Sequence, residues 1–147
     1  MKTDTFLGTP FHQATSVRNM TTWWYSWGPY TVPDVYTNIH EEMEAIRHFV
    51  SMNEMSPLPK IKISGSDAQR FVDYLMTRKM STMEVRQAWF TPWCNESGKV
   101  IADGVVFHTV QNEFLISGDN SYQHFNAHRA GFDVNIEDVT DDYGILA

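Results

Sequence analysis

Residues 99–108 form an apolar stretch with a single carboxylate, Asp103, and this stretch constrains the fold more than any other part of the chain. Its Val, Ile and Phe residues favour a β-strand. Alternation along such a strand places Ile101, Asp103, Val105 and Phe107 on one face. Because an isolated carboxylate is costly to bury among apolar neighbours, either the chain turns at Asp103 or this acid has a function.

Two interpretations of this stretch are open. Asp103 and Gly104 form a dipeptide that is typical of hairpin turns. However, residues 95–98 (Asn-Glu-Ser-Gly) already have tight-turn composition, so the stretch could instead be one strand that pairs with residues 87–94. Pro92 would then require an edge position or a bulge. In that arrangement the carboxylate could accept a hydrogen bond from a bound base or amine, or transfer its proton.

The remaining periodicity predicts a mixed fold. Helical spacing of apolar residues predicts helices over 34–50, 67–79 and 119–130, with Asp34, Ser66 and either Asp119 or Asn120 as their caps. Alternation predicts strands over 60–63, 113–117 and 132–137, and a further strand beginning at Tyr143. The expected fold class is α+β, a largely antiparallel sheet with packed helices. We predict one domain over 1–147, made of an aromatic loop segment (1–33), a helix and connection (34–58) and a sheet region (59–147).

Residues 21–30 are unusually aromatic, with five aromatic side chains in ten positions. One interpretation is that these rings fill a core, since large aromatic side chains are usually buried. The second is that they form one wall of a ligand pocket. We expect an ordered loop with one or two short strands.

Composition excludes several functional classes. A formal net charge of -7 argues against nucleic-acid binding and against an anionic membrane surface, and no apolar run reaches the length of a membrane span. Cys94 is the single cysteine, which fits a reducing compartment, and the N-terminus lacks a signal-peptide pattern. We therefore predict a cytoplasmic protein with neither a nucleic-acid nor a membrane partner. No sequence feature specifies an oligomeric state.

The usual catalytic and metal motifs are absent from the sequence. It has no nucleophile motif, glycine-rich phosphate loop or cysteine-pair metal site. Two histidine groups at helical spacing, His40/Glu44/His48 and His124/His128, are interpreted as solvated helix faces, so no metal is expected.

Taken together, the motifs resemble those of the glycine cleavage T protein family, which comprises tetrahydrofolate-dependent aminomethyltransferases and demethylases. The resemblance is spread over nearly the whole chain. It is carried by residues 9–11 (Thr-Pro-Phe), the segment with Trp27, Tyr30, Val32, Pro33 and Tyr36, and residues 44–47, 54–56, 65–68 and 95–103. The last of these is the most specific, because it is similar to the family's Asn-x-x-Gly-Gly-x-x-Asp-Asp motif.

The resemblance implies a cofactor and a set of site residues. It implies tetrahydrofolate as cofactor and places Asp103 at the position of the family's catalytic acid. Leu58, Phe90 and Phe107 fall at positions that line the folate pocket, and Ser117 lies near a position where the family often has Asn. Family members are more than twice this long. We therefore expect the N-terminal part of the folate-binding aminomethyltransferase fold, inactive alone, with its downstream domains absent.

Four functions follow as hypotheses. The leading one is tetrahydrofolate-dependent aminomethyl transfer, with a small molecule or a lipoyl carrier protein as the donor. The second is a demethylase acting on an N-, O- or S-methyl compound, favoured by the Ala-Asp-Gly pattern at residues 102–104. The third is a non-catalytic folate-binding protein that assists iron–sulfur cluster assembly. The fourth is an interaction domain with an aromatic surface.

Overall fold

The computed structural model describes residues 6–119 and 121–147, and it divides the chain into two compact units. One unit comprises the chain up to Pro57 together with Tyr143–Ala147, and the second comprises Leu58–Asp142. In the part of the chain that is described, no helix has both the length and the apolar character needed to cross a membrane.

The first unit contains a small three-stranded sheet and two helices. In chain order its elements are β1 (Leu7–Gly8), α1 (His12–Ser16), β2 (Trp23–Trp27), β3 (Tyr30–Val35) and α2 (Ile39–His48). The sheet order is β1-β3-β2, with β1 parallel and β2 antiparallel to β3.

The aromatic segment forms the β2–β3 hairpin, more regular than the expected loop with short strands. Gly28 turns the chain with a φ of +57°, a conformation that favours glycine. Trp23, Trp24 and Tyr25 are 57%, 42% and 55% exposed, whereas Tyr30 is buried. The prediction that these rings fill a core is therefore wrong for the three residues of β2.

Helix α2 begins five residues later than the sequence predicts. Asp34, the predicted cap, lies within β3. The cap is Asn38, whose Oδ1 accepts a hydrogen bond from the Glu41 backbone N–H at 3.0 Å. Residues on the predicted apolar stripe of this helix, such as Met43 and Ile46, are exposed, so helical periodicity here does not indicate burial.

The second unit is built on a five-stranded antiparallel sheet of order β5-β6-β7-β4-β8. Its elements are β4 (Lys60–Ser64), α3 (Ala68–Leu75), β5 (Ala88–Cys94), β6 (Val100–Val110), β7 (Glu113–Gly118), α4 (Ser121–His128) and β8 (Asn135–Asp138), with 3-10 turns at Met80–Thr82 and Thr140–Asp142. The α+β class with a largely antiparallel sheet is confirmed.

One face of this sheet, which we call the inner face, carries the core. Phe71 of α3 and Phe125 of α4 are fully buried in one cluster with Trp93, Val106 and Phe114 of the sheet. The apolar stripe predicted for α3 is buried throughout, since burying one stripe against a sheet is how an amphipathic helix is stabilised. The opposite sheet face, the outer face, carries the predicted site.

Two local predictions for this region are corrected. Ser66 does not cap α3: Asp67 is the residue at the cap position, and the Ser66 hydroxyl donates to Asp133 Oδ2 at 2.7 Å. The sequence pattern also predicts that Tyr122 and Phe125 of α4 face inward, and Phe125 is buried, but Tyr122 is 42% exposed. Asn120, one of the two predicted caps of α4, lies outside the described residues.

The predicted final strand, which begins at Tyr143, is not a regular one in the structure. Leu146 instead makes an isolated antiparallel bridge to Glu54. The assignment of all 147 residues to a single domain stays a prediction.

Candidate functional site on the outer sheet face

The β5–β6 hairpin that carries the site is fixed by its turn, residues 95–98. The Asn95 side chain accepts hydrogen bonds from the backbone N–H groups of Ser97 and Lys99, both at 3.0 Å. Gly98 has a φ of +74°, which a side chain would disfavour. This turn sets the register that opposes Pro92 to Asp103, and β5 is an edge strand with a bulge after Trp93, as Pro92 requires.

Asp103 does not lie at a turn, so the hairpin-turn interpretation is wrong. Strand β6 runs without interruption through Asp103 and Gly104 and pairs on both sides. The neighbouring strand β7 explains why residue 104 is a glycine. Gly104 opposes Gly118, and a Cβ on Gly104 would collide with the backbone oxygen of Ser117. A Cβ on Gly118 would in turn lie 2.6 Å from the Trp93 ring. The glycine after Asp103 therefore permits close strand approach.

The register brings three predicted site residues into one diagonal row on the outer face. Phe90 of β5 opposes Val105 of β6, so both Asp103 and Phe107 are diagonal neighbours of Phe90. Diagonal neighbours in an antiparallel pair lie about 7–8 Å apart, within reach of aromatic side chains. A flat molecule resting on the two phenyl rings would have the carboxylate at one end.

All three side chains of this row are accessible. Asp103 is exposed, Phe90 is 59% exposed and Phe107 is 37% exposed. The premise that the carboxylate is buried among apolar neighbours is therefore wrong: Asp103 is exposed, although Ile101 and Val105 on the same face are partly buried. The sequence pattern identified the shared face correctly, but alternation alone does not tell which face of a sheet is covered.

Leu58 lies at the end of the sheet that also holds Asp103. It precedes β4 by two residues, and the adjacent Pro59 accepts a hydrogen bond from the Gly118 backbone N–H at 3.1 Å. Gly118 in turn opposes Gly104, the residue after Asp103. The backbone thus places Leu58 two strands away from Asp103, at the same end of the sheet.

Ser117, which the resemblance places near a position where the family often has Asn, also lies on this face. It opposes Val105, and its hydroxyl is buried without a hydrogen-bond partner among the described residues. A buried polar atom of this kind requires a partner such as water or a ligand. The signal in the sequence is weak, a serine in an apolar strand next to glycine.

An ion pair on the outer face joins β4 and β8, the two strands farthest from β5. Lys62 Nζ on β4 lies 2.6 Å from Glu137 Oε2 on β8. The hydrogen bond from Lys62, followed by the attraction of its charge, lowers the pKa of Glu137.

The structure does not gather the histidines predicted to lie on helix faces into a metal site. Among residues 6–119 and 121–147, no group of three or more His, Cys, Asp or Glu side chains could hold a metal ion. The rings of His124 and His128 lie 4.4 Å apart between centroids. Burial, and secondarily His128, lowers the pKa of His124 and favours its neutral form.

Comparison with known proteins identifies the family. Residues 13–147 match the family model described as the GCVT N-terminal domain. An aminomethyltransferase of Staphylococcus haemolyticus (strain JCSC1435) is 32% identical over 82% of this chain and 34% of its own length. The crystal structure of the glycine cleavage system aminomethyltransferase T from Bartonella henselae has the same fold, with a TM-score of 0.80 at 13% identity over 92% of this chain and 39% of its own. The chain thus spans about a third of the length of the curated relative.

Proposed function

Because the chain belongs to the GCVT N-terminal domain family, we propose that it takes part in tetrahydrofolate-dependent one-carbon transfer of the aminomethyltransferase type. The observation that carries the proposal is the diagonal row on the outer sheet face. One accessible carboxylate, Asp103, lies at the end of two accessible rings, Phe90 and Phe107.

The side chains of the row fit a bicyclic heteroaromatic cofactor. Open phenyl faces spaced about 7–8 Å apart suit the stacking of a flat ring system. The buried hydroxyl of Ser117, which has no hydrogen-bond partner in the described part of the chain, suits a polar ring edge. Tetrahydrofolate, when bound, would supply the nitrogen atoms that accept the one-carbon unit.

Each residue of the site would have a distinct role. Phe90 and Phe107 would hold the ring system against the sheet, and Leu58 would close the end of the site near Gly118. Asp103 would orient the reacting edge by accepting a hydrogen bond and would hold or return a proton there. General acid–base assistance of this kind typically contributes about a hundred- to ten-thousand-fold to the rate.

The test is the substitution Asp103→Asn in the protein that contains this chain, with Glu84→Gln at an exposed position outside the strands as the matched control. The amide keeps the size and polarity of the side chain but cannot take up a proton. We expect Asp103→Asn to bind tetrahydrofolate as the parent protein does, measured by quenching of Trp fluorescence, and to lose at least about a hundredfold in turnover. Equal turnover in Asp103→Asn and Glu84→Gln would remove Asp103 from the mechanism.

The same assay separates the remaining hypotheses. Offering an aminomethyl donor and a set of N-, O- and S-methyl donors distinguishes an aminomethyltransferase from a demethylase. A non-catalytic folate-binding protein would bind tetrahydrofolate and turn over none of the donors. An interaction domain with an aromatic surface would show no quenching by tetrahydrofolate.

A further inference from the structure

The first unit contains a cavity of about 450 Å³ that the proposed function does not use. Its size falls in the range of small-molecule sites, about 300–1,000 Å³. Its apolar lining includes Phe11, Met52 and Leu146, and its polar lining includes Arg18, Tyr36 and Glu54. Backbone hydrogen bonds from Asn53 to Ala147 at 2.7 Å and from Met55 to Ile145 at 2.9 Å hold this part of the wall together.

Glu54 differs from the other lining residues because no cation among the described residues pairs with its carboxylate. Its Oε2 accepts a hydrogen bond from the Thr9 hydroxyl at 2.8 Å. Its Oε1 is buried and has no hydrogen-bond partner among the described residues, and within the same residues Glu54 forms no ion pair. A carboxylate oxygen that is withdrawn from water without a hydrogen-bond partner destabilises the fold, and a bound cation would offset that cost.

Arg18, the basic residue of the cavity lining, does not pair with Glu54. Arg18 lines the same cavity, but its Nη1 donates to the Ala14 backbone oxygen at 2.6 Å and it makes no ion pair with Glu54. Arg18 is exposed, whereas Glu54 is partly buried. The cavity therefore offers an acidic group on its inner side and a basic group toward solvent.

The pKa of Tyr36 also reflects the negative charge of Glu54. Burial, and next the negative charge of Glu54, raises the pKa of Tyr36, while a hydrogen bond with the Thr15 side chain opposes the rise. Its hydroxyl therefore stays protonated, and the charge of Glu54 reaches the cavity wall.

From this arrangement we propose that the cavity binds a small free amino acid with an apolar side chain. Its ammonium group would lie at Glu54, its carboxylate toward Arg18, and its side chain against Phe11, Met52 and Leu146. We choose this ligand class because its groups complement the cavity, which has one carboxylate, one guanidinium group and apolar walls. The inference does not depend on the function proposed for Asp103.

The experiment is calorimetric titration of the chain with L-leucine and two analogues that each lack one charge. N-Acetyl-L-leucine lacks the ammonium group and L-leucinamide lacks the carboxylate. We expect leucine to bind, the acetylated form to bind at least about tenfold more weakly, and the amide to lose less. Equal affinity for leucine and its acetylated form, or no heat from leucine at millimolar concentration, would overturn the proposal.

Two variants and one control locate the site. Glu54→Gln should abolish leucine binding and raise the melting temperature of the ligand-free chain, because it removes an uncompensated charge. A merely structural Glu54 would give the opposite thermal shift. Ala14→Trp, which adds a large side chain to the cavity lining, should also abolish binding, and retention of leucine binding by this variant would place the ligand elsewhere. Glu96→Gln, in the exposed β5–β6 turn of the second unit, should change neither the affinity nor the melting temperature.

Discussion

Both faces of the β5–β6 hairpin carry apolar side chains, but the two faces have different surroundings. Along β6, Val106 on the inner face is fully buried, whereas Phe107 beside it on the outer face is partly open. Phe125 packs edge-to-face on Trp93, with ring centroids 5.5 Å apart, within the inner core. Phe90, on the same strand as Trp93, is mostly exposed. The Trp93 and Phe125 rings therefore stabilise the core, whereas the Phe90 ring is exposed on the opposite face.

The largest effect should come from a matched pair of phenylalanine truncations, one from each side. Phe125→Ala removes a fully buried ring from the core and should lower the free energy of unfolding by about 3–5 kcal/mol. Phe90→Ala removes a mostly exposed ring and should cost less than about 1 kcal/mol. Urea denaturation followed by far-UV circular dichroism measures both. Similar losses in the two variants would mean that the outer face is covered in solution.

A smaller effect is expected at the close backbone contact between β6 and β7. Gly104→Ala would push a methyl group into the backbone oxygen of Ser117 and separate β6 from β7. We expect a loss of about 2–3 kcal/mol. Gly98→Ala is the control, because it faces open space and its cost comes only from its positive φ, about 1 kcal/mol. If Gly104→Ala proved as stable as Gly98→Ala, the close approach of these strands would be disproved.

The smallest effect concerns the ion pair of the outer face. The pKa of Glu137 is lowered in the folded chain, so its stabilising contribution is present above its ordinary value of 4.5 and is lost as the pH falls through the lowered folded-state pKa. Glu137→Gln should therefore flatten the dependence of the unfolding midpoint on pH below about 4.5. Glu96→Gln, in the exposed β5–β6 turn, should leave that slope unchanged. An unchanged slope in Glu137→Gln would show that the pair does not persist in solution.

Strand positions and face sharing could be predicted from the sequence, because both follow from local periodicity. The alternation in β4 and β6, the turn at residues 95–98 and the edge position of Pro92 are all local properties of the chain. The shared face of Asp103 and Phe107 follows from the period of two residues alone.

Coverage of each face could not be predicted, because it depends on segments distant in sequence. Ile46 and Phe71 both lie on apolar stripes at helical spacing, but only Phe71 is buried. The approach of Gly104 to Gly118 depends on the pairing of β6 with β7, and Glu54 joins the cavity lining through a bridge to Leu146. None of these arrangements leaves a periodic signal.

The free edge of β5 has a consequence for how copies of the molecule can meet. The backbone oxygen of Pro92 accepts hydrogen bonds from the N–H and the hydroxyl of Thr77, at 3.2 and 3.1 Å, and that of Phe90 accepts one from Arg78 at 3.3 Å. Pro92 itself has no N–H to offer. An incoming strand would find these ladder positions already occupied, so this border blocks intermolecular β-augmentation and fibril growth beside an open aromatic surface.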